Sequence, residues 1–318
     1  MNIIIKKLLG KWYTPIQNHI FKIIGKLSSK ALVSIQYKRA FKHALNWQNP
    51  KDINEKINWL KFKSNTEVWT KLADKYLVRE HIAKMGFANM LVKLYGKWER
   101  PEDIDWHALP EKFIMKTNNG SGEVFICNDK SVINTDEWTT RFKKMFSVHF
   151  GDTMGEPHYN KIPPCIIAEE LLDIKKQPIT TSSLIDYKIW SFNGEPAYIW
   201  VCYNRTPTSV EVGVYDLDWN FHPEYSISTP HYKLAKTPLP RPKSLDKMLK
   251  AASVLSKGFP ELRVDLYEVD NKPYFGELTF TSAGGFNDFY TPEFLKILGD
   301  LTIIKDNISN YSKLILQI

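Results

Sequence analysis

Two acidic side chains in the C-terminal part of the sequence are placed where they could hold a metal ion. Asp265 and Glu277 lie in apolar runs of RVDLYEVDNKPYFGEL, which predicts two strands joined by a turn at residues 270–271. Because burying two like charges is costly, a cation should compensate them, and a hard divalent ion that bridges carboxylates to nucleotide phosphates would do so. Arg263 lies beside them. The segment predicts a metal site, although either acid alone would more commonly face solvent.

A lysine followed by a polar, glycine-containing loop is the second chemical feature. Lys116 closes the apolar run FIMK, and the sequence TNNGSG, residues 117–122, separates it from the run EVFIC. Asn and Gly tolerate the positive φ of turns, so the segment on its own favours an ordinary β-hairpin. The alternative is a loop that covers phosphates, in which backbone N–H groups approach the anion and an ammonium neutralises charge. A P-loop is excluded, because no Gly-Lys-Ser/Thr sequence follows.

The composition indicates a folded protein whose thiols stay reduced. The 318 residues, 43% of them hydrophobic, suffice for one large core or roughly two to three smaller ones. Cys127, Cys165 and Cys202 are far apart and odd in number, which argues against a disulfide framework or a zinc site. Neither HExxH nor GxSxG occurs, so hydrolases of those types lack support. These features predict a cytoplasmic protein.

The net charge of +8 is concentrated at the N-terminus. Residues 1–51 contain ten Lys or Arg and no Asp or Glu, and apolar residues from Ile4 to Leu27 recur at helical spacing with lysines on another face. This pattern suits an anionic membrane surface, or equally a helix packed on the protein body with its lysines in solvent. No apolar run reaches the roughly 18 residues of a membrane span, and no signal-peptide cleavage site follows. Nucleic-acid binding is not indicated, because basic and aromatic residues do not interleave further along the chain.

The rest of the sequence mixes helices and strands without a strict βαβ alternation. Two or three helices are predicted over residues 46–88, where Asp52 and Glu55 resemble a capping box and Gly86 suits a helix end. Further helices are predicted near residues 136–149 and 244–257, and strands over 113–116, 123–127, 165–172, 186–192, 197–203, 212–219, 262–269 and 273–280. This order favours a mostly antiparallel α+β fold.

Several phrases of the sequence together resemble one enzyme family. They lie between Asn46 and Gly299 and include NPKDINEKINWLK, DKYLVREHI, LPEKFIMKTNNGSG, PPCIIAEELL, DYKIWSFNGEP, FPELRVDLYEVDNKPYFGELTF and GGF. A lysine, a glycine loop, a strand ending in Glu-Glu, a strand with Asp-Tyr-Lys and a hairpin with two acids follow one another as in the ATP-grasp superfamily. The phrases themselves resemble its teichuronopeptide-biosynthesis (TupA-like) branch, which belongs to gene clusters for surface polysaccharides.

The resemblance implies a fold and a division of the chain. The expected architecture is an α+β, ATP-grasp fold in which two subdomains with mostly antiparallel sheets enclose an ATP cleft, after a helical N-terminal region. The expected units are a basic amphipathic helical segment at 1–45, a helical region at 46–105, a small subdomain with the glycine-rich loop and hinge at 106–175, and a large subdomain with the metal-binding hairpin at 176–318.

The resemblance also implies roles for individual residues. The positions implied to bind the nucleotide are Lys116 and Lys188, the mobile cover Thr117, Asn118, Asn119, Gly120, Ser121 and Gly122, and the hinge Glu169, Glu170, Leu171 and Leu172. Arg263 and Lys188 are implied as catalytic cations beside the transferring phosphoryl group. Asp265, Glu277 and Thr279 are implied as Mg²⁺ ligands. The family's usual Asn is replaced by Thr279, a weaker ligand, and a His that is common in the loop is replaced by Asn119.

The activity implied by the resemblance is the joining of a carboxylate to an amine. Such enzymes transfer the γ-phosphoryl group of ATP to a carboxylate, and an amine then displaces phosphate to form an amide. The implied substrates are a uronic acid of a capsular or other cell-surface polysaccharide, or its lipid-linked precursor, and an amino acid or amine, with ATP and Mg²⁺ as cofactors. A lipid-linked acceptor would place this cytoplasmic enzyme at the inner face of the plasma membrane.

Other functions remain open from the sequence. A glycosyltransferase is suggested by the triplets Asp103-Ile-Asp105 and Asp216-Leu-Asp218. An ATP-dependent sugar kinase would use the same nucleotide site, and a non-catalytic membrane adaptor would keep only the fold. Asp74, Lys75 and Arg79 share a helical face by spacing, which predicts either solvated ion pairs or contact with the nucleotide. Arg205 fits a surface ion pair or a substrate anion.

Overall fold

The computed structural model describes residues 13–120 and 123–304 of the chain. Ser121 and Gly122 of the predicted cover, and residues 1–12 of the basic segment, lie outside the described residues. The described helices are α1 (Tyr13–Leu27), α2 (Ser29–Phe41), α3 (Ile53–Lys63), α4 (Glu67–Ala73), α5 (Val78–Ile82), α6 (Thr135–Phe146), α7 (Phe150–Met154), α8 (Leu245–Ser256) and α9 (Pro292–Leu301).

The strands form two sheets. The first contains β1 (Leu94–Trp98), β2 (Phe113–Thr117), β3 (Val124–Cys127) and β4 (Ile166–Glu170), in the order β1-β4-β2-β3, and all of its pairs are antiparallel. The second contains β5 (Asp186–Phe192), β6 (Glu195–Tyr203), β7 (Val210–Tyr215), β8 (Tyr232–Leu234), β9 (Leu262–Val269) and β10 (Lys272–Thr279). Its order is β10-β9-β5-β6-β7-β8, and only β7 and β8 pair in parallel. The predicted, mostly antiparallel α+β class is confirmed.

Two strands have no counterpart in the sequence prediction. The sequence of β1, LYGKW, lacks the alternation of apolar and polar residues that predicts a strand. In the structure, every residue of β1 is half-buried, so neither face of this strand is distinguished by burial. Strand β8 has three residues and pairs only at the sheet edge. The eight predicted strands are those with strong apolar patterns, and all eight are present.

Helix α3 begins as its sequence predicts. The Asp52 carboxylate accepts a hydrogen bond of 2.9 Å from the backbone N–H of Glu55, which satisfies one free donor of the first helical turn. The Glu55 carboxylate accepts instead from the backbone N–H groups of Asn46 and Lys51, at 3.1 and 2.7 Å. The Glu55 side chain thus bonds residues that precede the N-cap rather than the N-cap itself, and it fixes the chain that leads into the helix.

The six-stranded sheet is buried on both faces. On one face, Tyr187, Ile189 and Val264 share a core with Met248 and Leu255 of α8. The other face packs against helices α3 and α9, through the residues Ile57, Trp190, Trp200, Phe289 and Phe294. The four-stranded sheet has a separate core with α6, made of Phe113, Met115, Phe125, Trp138 and Phe142. Each sheet thus has its own hydrophobic core, on both faces of the six-stranded sheet and on the α6 side of the four-stranded one.

The N-terminal helices pack on each other and on the rest of the protein, where the Tyr37 ring lies 6.0 Å from that of Phe286. Helix α1 packs against α2 and α7, and the Arg39 guanidinium lies 5.1 Å from the centre of the Phe21 ring. Val33 and Tyr37 of α2 are buried together with Leu45. Within the described part of the chain, no helix combines the length and the apolar character needed to cross a bilayer.

Candidate active site

The two predicted metal-site acids are neighbours on adjacent strands. Glu277 of β10 is paired with Asp265 of β9, directly after a register shift between Phe275 and Glu277. On the other side of β9, Lys188 of β5 is paired with the same Asp265. Residues directly opposite in antiparallel strands share one face of the sheet, so these side chains point to one side. We call β9 and β10 with Asp265 and Glu277 the acid hairpin.

Cations surround the Asp265 carboxylate. Arg263 binds it through two bonds, from Nε to Oδ1 at 2.7 Å and from Nη2 to Oδ2 at 2.8 Å, and Lys188 Nζ lies 2.6 Å from Oδ2. Lys188 also contacts Asp186 at 2.5 Å. Burial alone would lower the pKa of Lys188, but the charges of Asp186 and Asp265 outweigh it and raise the pKa above its ordinary value. The Asp265 side chain is 1% exposed and is fully compensated by its neighbours.

Glu277 is held more loosely. Its nearest polar neighbours are Lys75 Nζ and Thr279 Oγ1, each at 3.4 Å, and Arg263 Nη2 at 4.0 Å, and its side chain is 38% exposed. Burial alone would raise its pKa, but the charges of Lys75, Lys188, Arg263 and Lys116 outweigh burial and lower the pKa from 4.5 to about 2. These cations therefore favour the ionised form of the Glu277 carboxylate.

Lys116 and Glu169 form an ion pair on the four-stranded sheet. Lys116 Nζ lies 2.7 Å from Glu169 Oε2, and Arg79 Nη1 lies 2.7 Å from Glu169 Oε1. Arg79 also donates to the carbonyl of Val92 at 2.6 Å. The Glu169 carboxylate therefore faces two cations. In the following segment, Glu170 is exposed, Leu171 half-buried, and Leu172 buried beside Val92 and Val269.

The loop after Lys116 is held by hydrogen bonds of Asn118 and by contacts of Gly120. Strands β2 and β3 pair as a hairpin around this loop, which confirms the predicted β-hairpin, and the covering of phosphates stays a prediction. Asn118 is fully buried and bonds Asp74 at 2.9 Å and the backbone N–H of Cys165 at 2.7 Å. Gly120 adopts a φ of +82°, and a Cβ at this position would lie 2.7 Å from the Phe150 ring. We call residues 116–120 the lysine loop.

Lys75 joins the lysine loop to the acid hairpin. Its Nζ donates to the carbonyl of Gly120 at 2.8 Å and lies 3.4 Å from Glu277 Oε2. Thr117 is buried and Asn119 half-buried beside this contact. Lys75 thus lies where the two predicted halves of the site meet.

The oxygen atoms of the acid hairpin suit a hard cation. Asp265, Glu277 and Thr279 provide two carboxylates and a hydroxyl, the ligand types that Mg²⁺ prefers. The Glu277 carboxylate is the accessible one, because the oxygens of Asp265 already accept bonds from Arg263 and Lys188. No three His, Cys, Asp or Glu side chains cluster as a complete metal site within residues 13–120 and 123–304. A Mg²⁺ ion here would complete its shell with water and phosphate oxygens, as it commonly does.

Several contributors were identified from the sequence without their partners. The shared helical face predicted for these residues is wrong, because Asp74 and Lys75 lie in the turn between α4 and α5 and only Arg79 lies in a helix. The side chains of Asp74, Lys75 and Arg79 contact Asn118, Glu277 and Glu169, respectively, rather than each other. Their helical spacing could not reveal partners that lie 90 or more residues away in two of the three cases. Asp186 shares Lys188 with Asp265, and its sequence Asp-Tyr-Lys gave the only signal of that contact.

The two Asp-x-Asp triplets form turns. Asp105 accepts from the backbone N–H of His107 at 3.1 Å. Asp216 accepts from the backbone and side chain of Asn220, both at 2.8 Å, and contacts His222. These bonds shape the turns themselves. Arg205 is exposed, and its guanidinium contacts no acidic side chain of residues 13–120 and 123–304, so the surface ion pair considered for it is absent there.

Comparison with known proteins identifies the family. The model of the TupA-like ATP-grasp family matches residues 55–303. A D-alanine–D-alanine ligase from Bacillus anthracis is 15% identical, with 80% of this chain and 71% of that chain covered and a TM-score of 0.44. A D-alanine–D-alanine ligase from Helicobacter pylori is 11% identical, with 80% of this chain and 68% of that chain covered and a TM-score of 0.41. A D-cycloserine synthetase is 13% identical, with 77% of this chain and 71% of that chain covered and a TM-score of 0.40. A search of curated proteins gave no match.

The matched range contains both the lysine loop and the acid hairpin, together with every strand of the two sheets. The ATP-grasp fold and the family predicted from the sequence are confirmed. The chain belongs to the TupA-like ATP-grasp family.

Proposed function

We propose that this protein is an ATP-dependent carboxylate–amine ligase. The observation that carries the proposal is the position of Lys75, whose Nζ donates to the carbonyl of Gly120 in the lysine loop at 2.8 Å and lies 3.4 Å from Glu277 Oε2 in the acid hairpin. Positive groups on one side and ionised carboxylates on the other are the requirement for holding a triphosphate with its metal ion.

The roles of the residues follow from their positions. Lys116 and Lys75 would neutralise phosphate oxygens, and the backbone of the lysine loop would cover them. Arg263 and Lys188 bond the Asp265 carboxylate, and from there they would stabilise charge that develops during phosphoryl transfer. Glu277, with Asp265 and Thr279, would hold Mg²⁺, which when bound supplies charge neutralisation and orientation of the phosphates. The hinge Glu169–Leu172 would bind the adenosine.

The reaction requires no nucleophilic side chain of the enzyme. An oxygen of the substrate carboxylate attacks the γ-phosphorus and ADP leaves; the amine then attacks the carbonyl carbon and phosphate leaves. The three cysteines agree with this, since all are buried, and burial raises the pKa of the Cys165 and Cys202 thiols to about 12. Protonated, enclosed thiols cannot act as nucleophiles near neutral pH. Catalysis would then consist of positioning and electrostatic stabilisation.

The proposed acceptor is a uronic acid of a cell-surface glycan or its lipid-linked precursor, and the proposed amine is an amino acid. The resemblance to the teichuronopeptide branch supports this choice of substrates. Mass spectrometry of the surface glycan from cells with and without the protein tests it. Loss of an amide-linked amino acid is expected. Loss of a phosphate would instead indicate a sugar kinase, and loss of a whole sugar residue a glycosyltransferase.

Enzymatic activity itself has a direct test. Purified protein with Mg·ATP, galacturonate and a mixture of amino acids is expected to release ADP, and Glu277→Gln is expected to release almost none. Equal release by the wild type and the variant would contradict the proposal and favour contaminating activity or a non-catalytic adaptor. Lys112→Met, which changes an exposed lysine just before β2, serves as the control for unspecific charge effects.

We also propose that helix α1 lies on an anionic membrane. Ile20, Ile23 and Leu27 are 48%, 46% and 82% exposed, and they fall on one side of the helix by their spacing of three and four residues. Lys22 and Lys26 are exposed alongside them. An apolar stripe flanked by lysines is the arrangement that inserts at the boundary of headgroups and acyl chains. A lipid-linked acceptor would be bound at that surface.

Vesicle sedimentation tests the membrane proposal separately. The protein is expected to sediment with vesicles that contain phosphatidylglycerol, and much less with pure phosphatidylcholine. Leu27→Glu should abolish sedimentation. Val132→Glu, at an exposed valine outside α1 and α2, should leave it unchanged. Equal binding by the wild type and Leu27→Glu would show that α1 is not the contact surface.

A further inference from the structure

A buried chain of hydrogen bonds connects helix α3 to the arginine of the acid hairpin. Asn287 Nδ2 donates to Asn54 Oδ1 at 2.7 Å, and the Asn287 backbone N–H donates to the same oxygen at 2.8 Å. Ser282 Oγ donates to Asn287 Oδ1 at 2.7 Å. Arg263 Nη1 in turn donates to Ser282 Oγ at 2.7 Å. Three bonds between side chains therefore lead from Asn54 to Arg263.

The direction of these bonds is consistent along the whole chain. Ser282 accepts from Arg263 and donates to Asn287, and the Asn287 amide accepts with its oxygen and donates with its nitrogen. Asn54, Ser282 and Asn287 are fully buried, and Arg263 nearly so. A buried group that loses its partner cannot replace it with bulk water, so each member strongly restricts the orientation of the next.

The chain fixes the edge of the Arg263 guanidinium that Asp265 does not hold. Nε and Nη2 bond Asp265, and Nη2 also reaches Thr279 Oγ1 at 3.2 Å. Nη1 points the other way, to Ser282. The planar guanidinium is thereby held from both sides. Without Ser282, Nη1 would be a buried donor lacking this partner, and the plane could tilt about its bonds to Asp265.

We propose that Asn54 is a positioning residue, which acts through Asn287 and Ser282 to hold Arg263 in the orientation needed for phosphoryl transfer. The proposal rests on the ligase function proposed above. It assigns a catalytic purpose to a helix that lies before both sheets in the chain and contributes no side chain to the acid hairpin. Small displacements of a positioned group can cost about 100-fold in rate.

The same helix provides a matched control. Asn58 is also fully buried, lies one turn after Asn54, and donates to the carbonyl of Gly285 at 2.8 Å. It thus holds the same loop, but none of its bonds leads to Arg263 through side chains. Its other bond, of 2.9 Å, goes to the backbone carbonyl of Asn54. Loss of either Asn should weaken the packing of helix on loop, whereas only loss of Asn54 should release the chain to Arg263.

The first experiment compares Asn54→Ala with Asn58→Ala in the full-length protein, with ADP release from Mg·ATP, galacturonate and mixed amino acids as the assay. Both variants should lower the Tm by a similar few degrees. Asn54→Ala should lower kcat about 10- to 100-fold with little change in the KM for ATP. Asn58→Ala should keep kcat within about threefold of the wild type. Equal kcat losses in the two variants would overturn the proposal, because they would indicate a purely structural role.

A double-mutant cycle removes the dependence on stability. In the Arg263→Lys background the positioned guanidinium is gone, so adding Asn54→Ala should lower kcat little further. If kcat of the double variant instead fell by the product of the two single effects, the proposed coupling of Asn54 to Arg263 would be contradicted. The same cycle can be measured by Tm, which requires no enzymatic activity. A Tm loss in the double variant smaller than the sum of the single losses would support the hydrogen-bonded connection, and an additive loss would overturn it. A wild-type protein that releases no ADP but shows coupled Tm losses would contradict the ligase function and leave the hydrogen-bonded chain intact.

Discussion

The acid hairpin and the lysine loop hold their charges in different ways. In the acid hairpin, Asp265 is compensated by Lys188 and Arg263, which lie on its own or the adjacent strand, so strand register fixes the arrangement. In the lysine loop, the anchors come from elsewhere in the chain: Asp74 and Lys75 follow helix α4, and Phe150 belongs to α7. We therefore expect the hairpin to be preformed and the loop to be the part of the site that moves.

This difference agrees with the division of labour in the proposed reaction. A metal and the developing charge of phosphoryl transfer require groups whose positions are set before the substrate arrives. Nucleotide entry and release require a cover that can open. Changes in the hairpin should therefore affect stability and kcat, and changes in the loop should affect the KM for ATP with smaller effects on stability.

The largest effect on stability is expected for Asp265→Ala. It would leave the Arg263 and Lys188 charges buried without their main partner, which typically costs about 3–5 kcal/mol of unfolding free energy. The matched control is Asp246→Ala, which removes an exposed partner of Arg241 and should cost at most about 1 kcal/mol. Urea unfolding measures both. Equal losses would mean that the hairpin is no more rigidly compensated than an exposed ion pair.

Glu277→Gln should separate catalysis from stability. We expect ADP release to fall about 100-fold or more, because the ionised carboxylate proposed to hold the metal is lost. The folded-state pKa of Glu277 is lowered from 4.5 to about 2, so its contribution to stability is complete above about pH 4.5 and declines as the pH falls toward 2. Urea unfolding should show a larger difference in unfolding free energy between the wild type and Glu277→Gln at pH 6 than at pH 3. A gap that is unchanged or wider at pH 3 would contradict the pKa shift.

Lys116→Met should affect nucleotide binding more than folding. Glu169 keeps its bond to Arg79, so the loss in stability should be about 1 kcal/mol. Removing a charged contact to phosphate should raise the KM for ATP about 10- to 100-fold. Lys112→Met, at an exposed position in the same sequence, should change neither quantity. A large loss of stability with normal ATP binding would reassign Lys116 to a structural role.

The sequence was most informative where chemistry and local pattern coincide. Asp265 and Glu277 lie in two strong apolar runs separated by a turn, so their strands and the hairpin that pairs them were both predictable. Lys188 followed from the resemblance. The partners of Lys75 and Arg79, and the hydrogen bonds that lead from Asn54 to Arg263, were not predicted, because helical spacing describes one face of an element and not which distant element that face contacts. Asn54, Asn58 and Lys61 do recur at helical spacing, a polar stripe in a helix whose other residues are largely apolar or charged.

The smallest effect, and the sharpest test of the comparison, is expected for Lys75→Met. Lys75 contacts Glu277 only at 3.4 Å and otherwise a backbone carbonyl, so the loss in stability should stay below about 1 kcal/mol. The KM for ATP should rise up to about fivefold, since the lysine loop would lose one link to the hairpin. Lys71→Met, an exposed lysine of α4, is the control. A loss of kcat as large as that of Glu277→Gln would show that Lys75 belongs functionally to the preformed hairpin. The movable part of the site would then begin at the lysine loop and would not include Lys75.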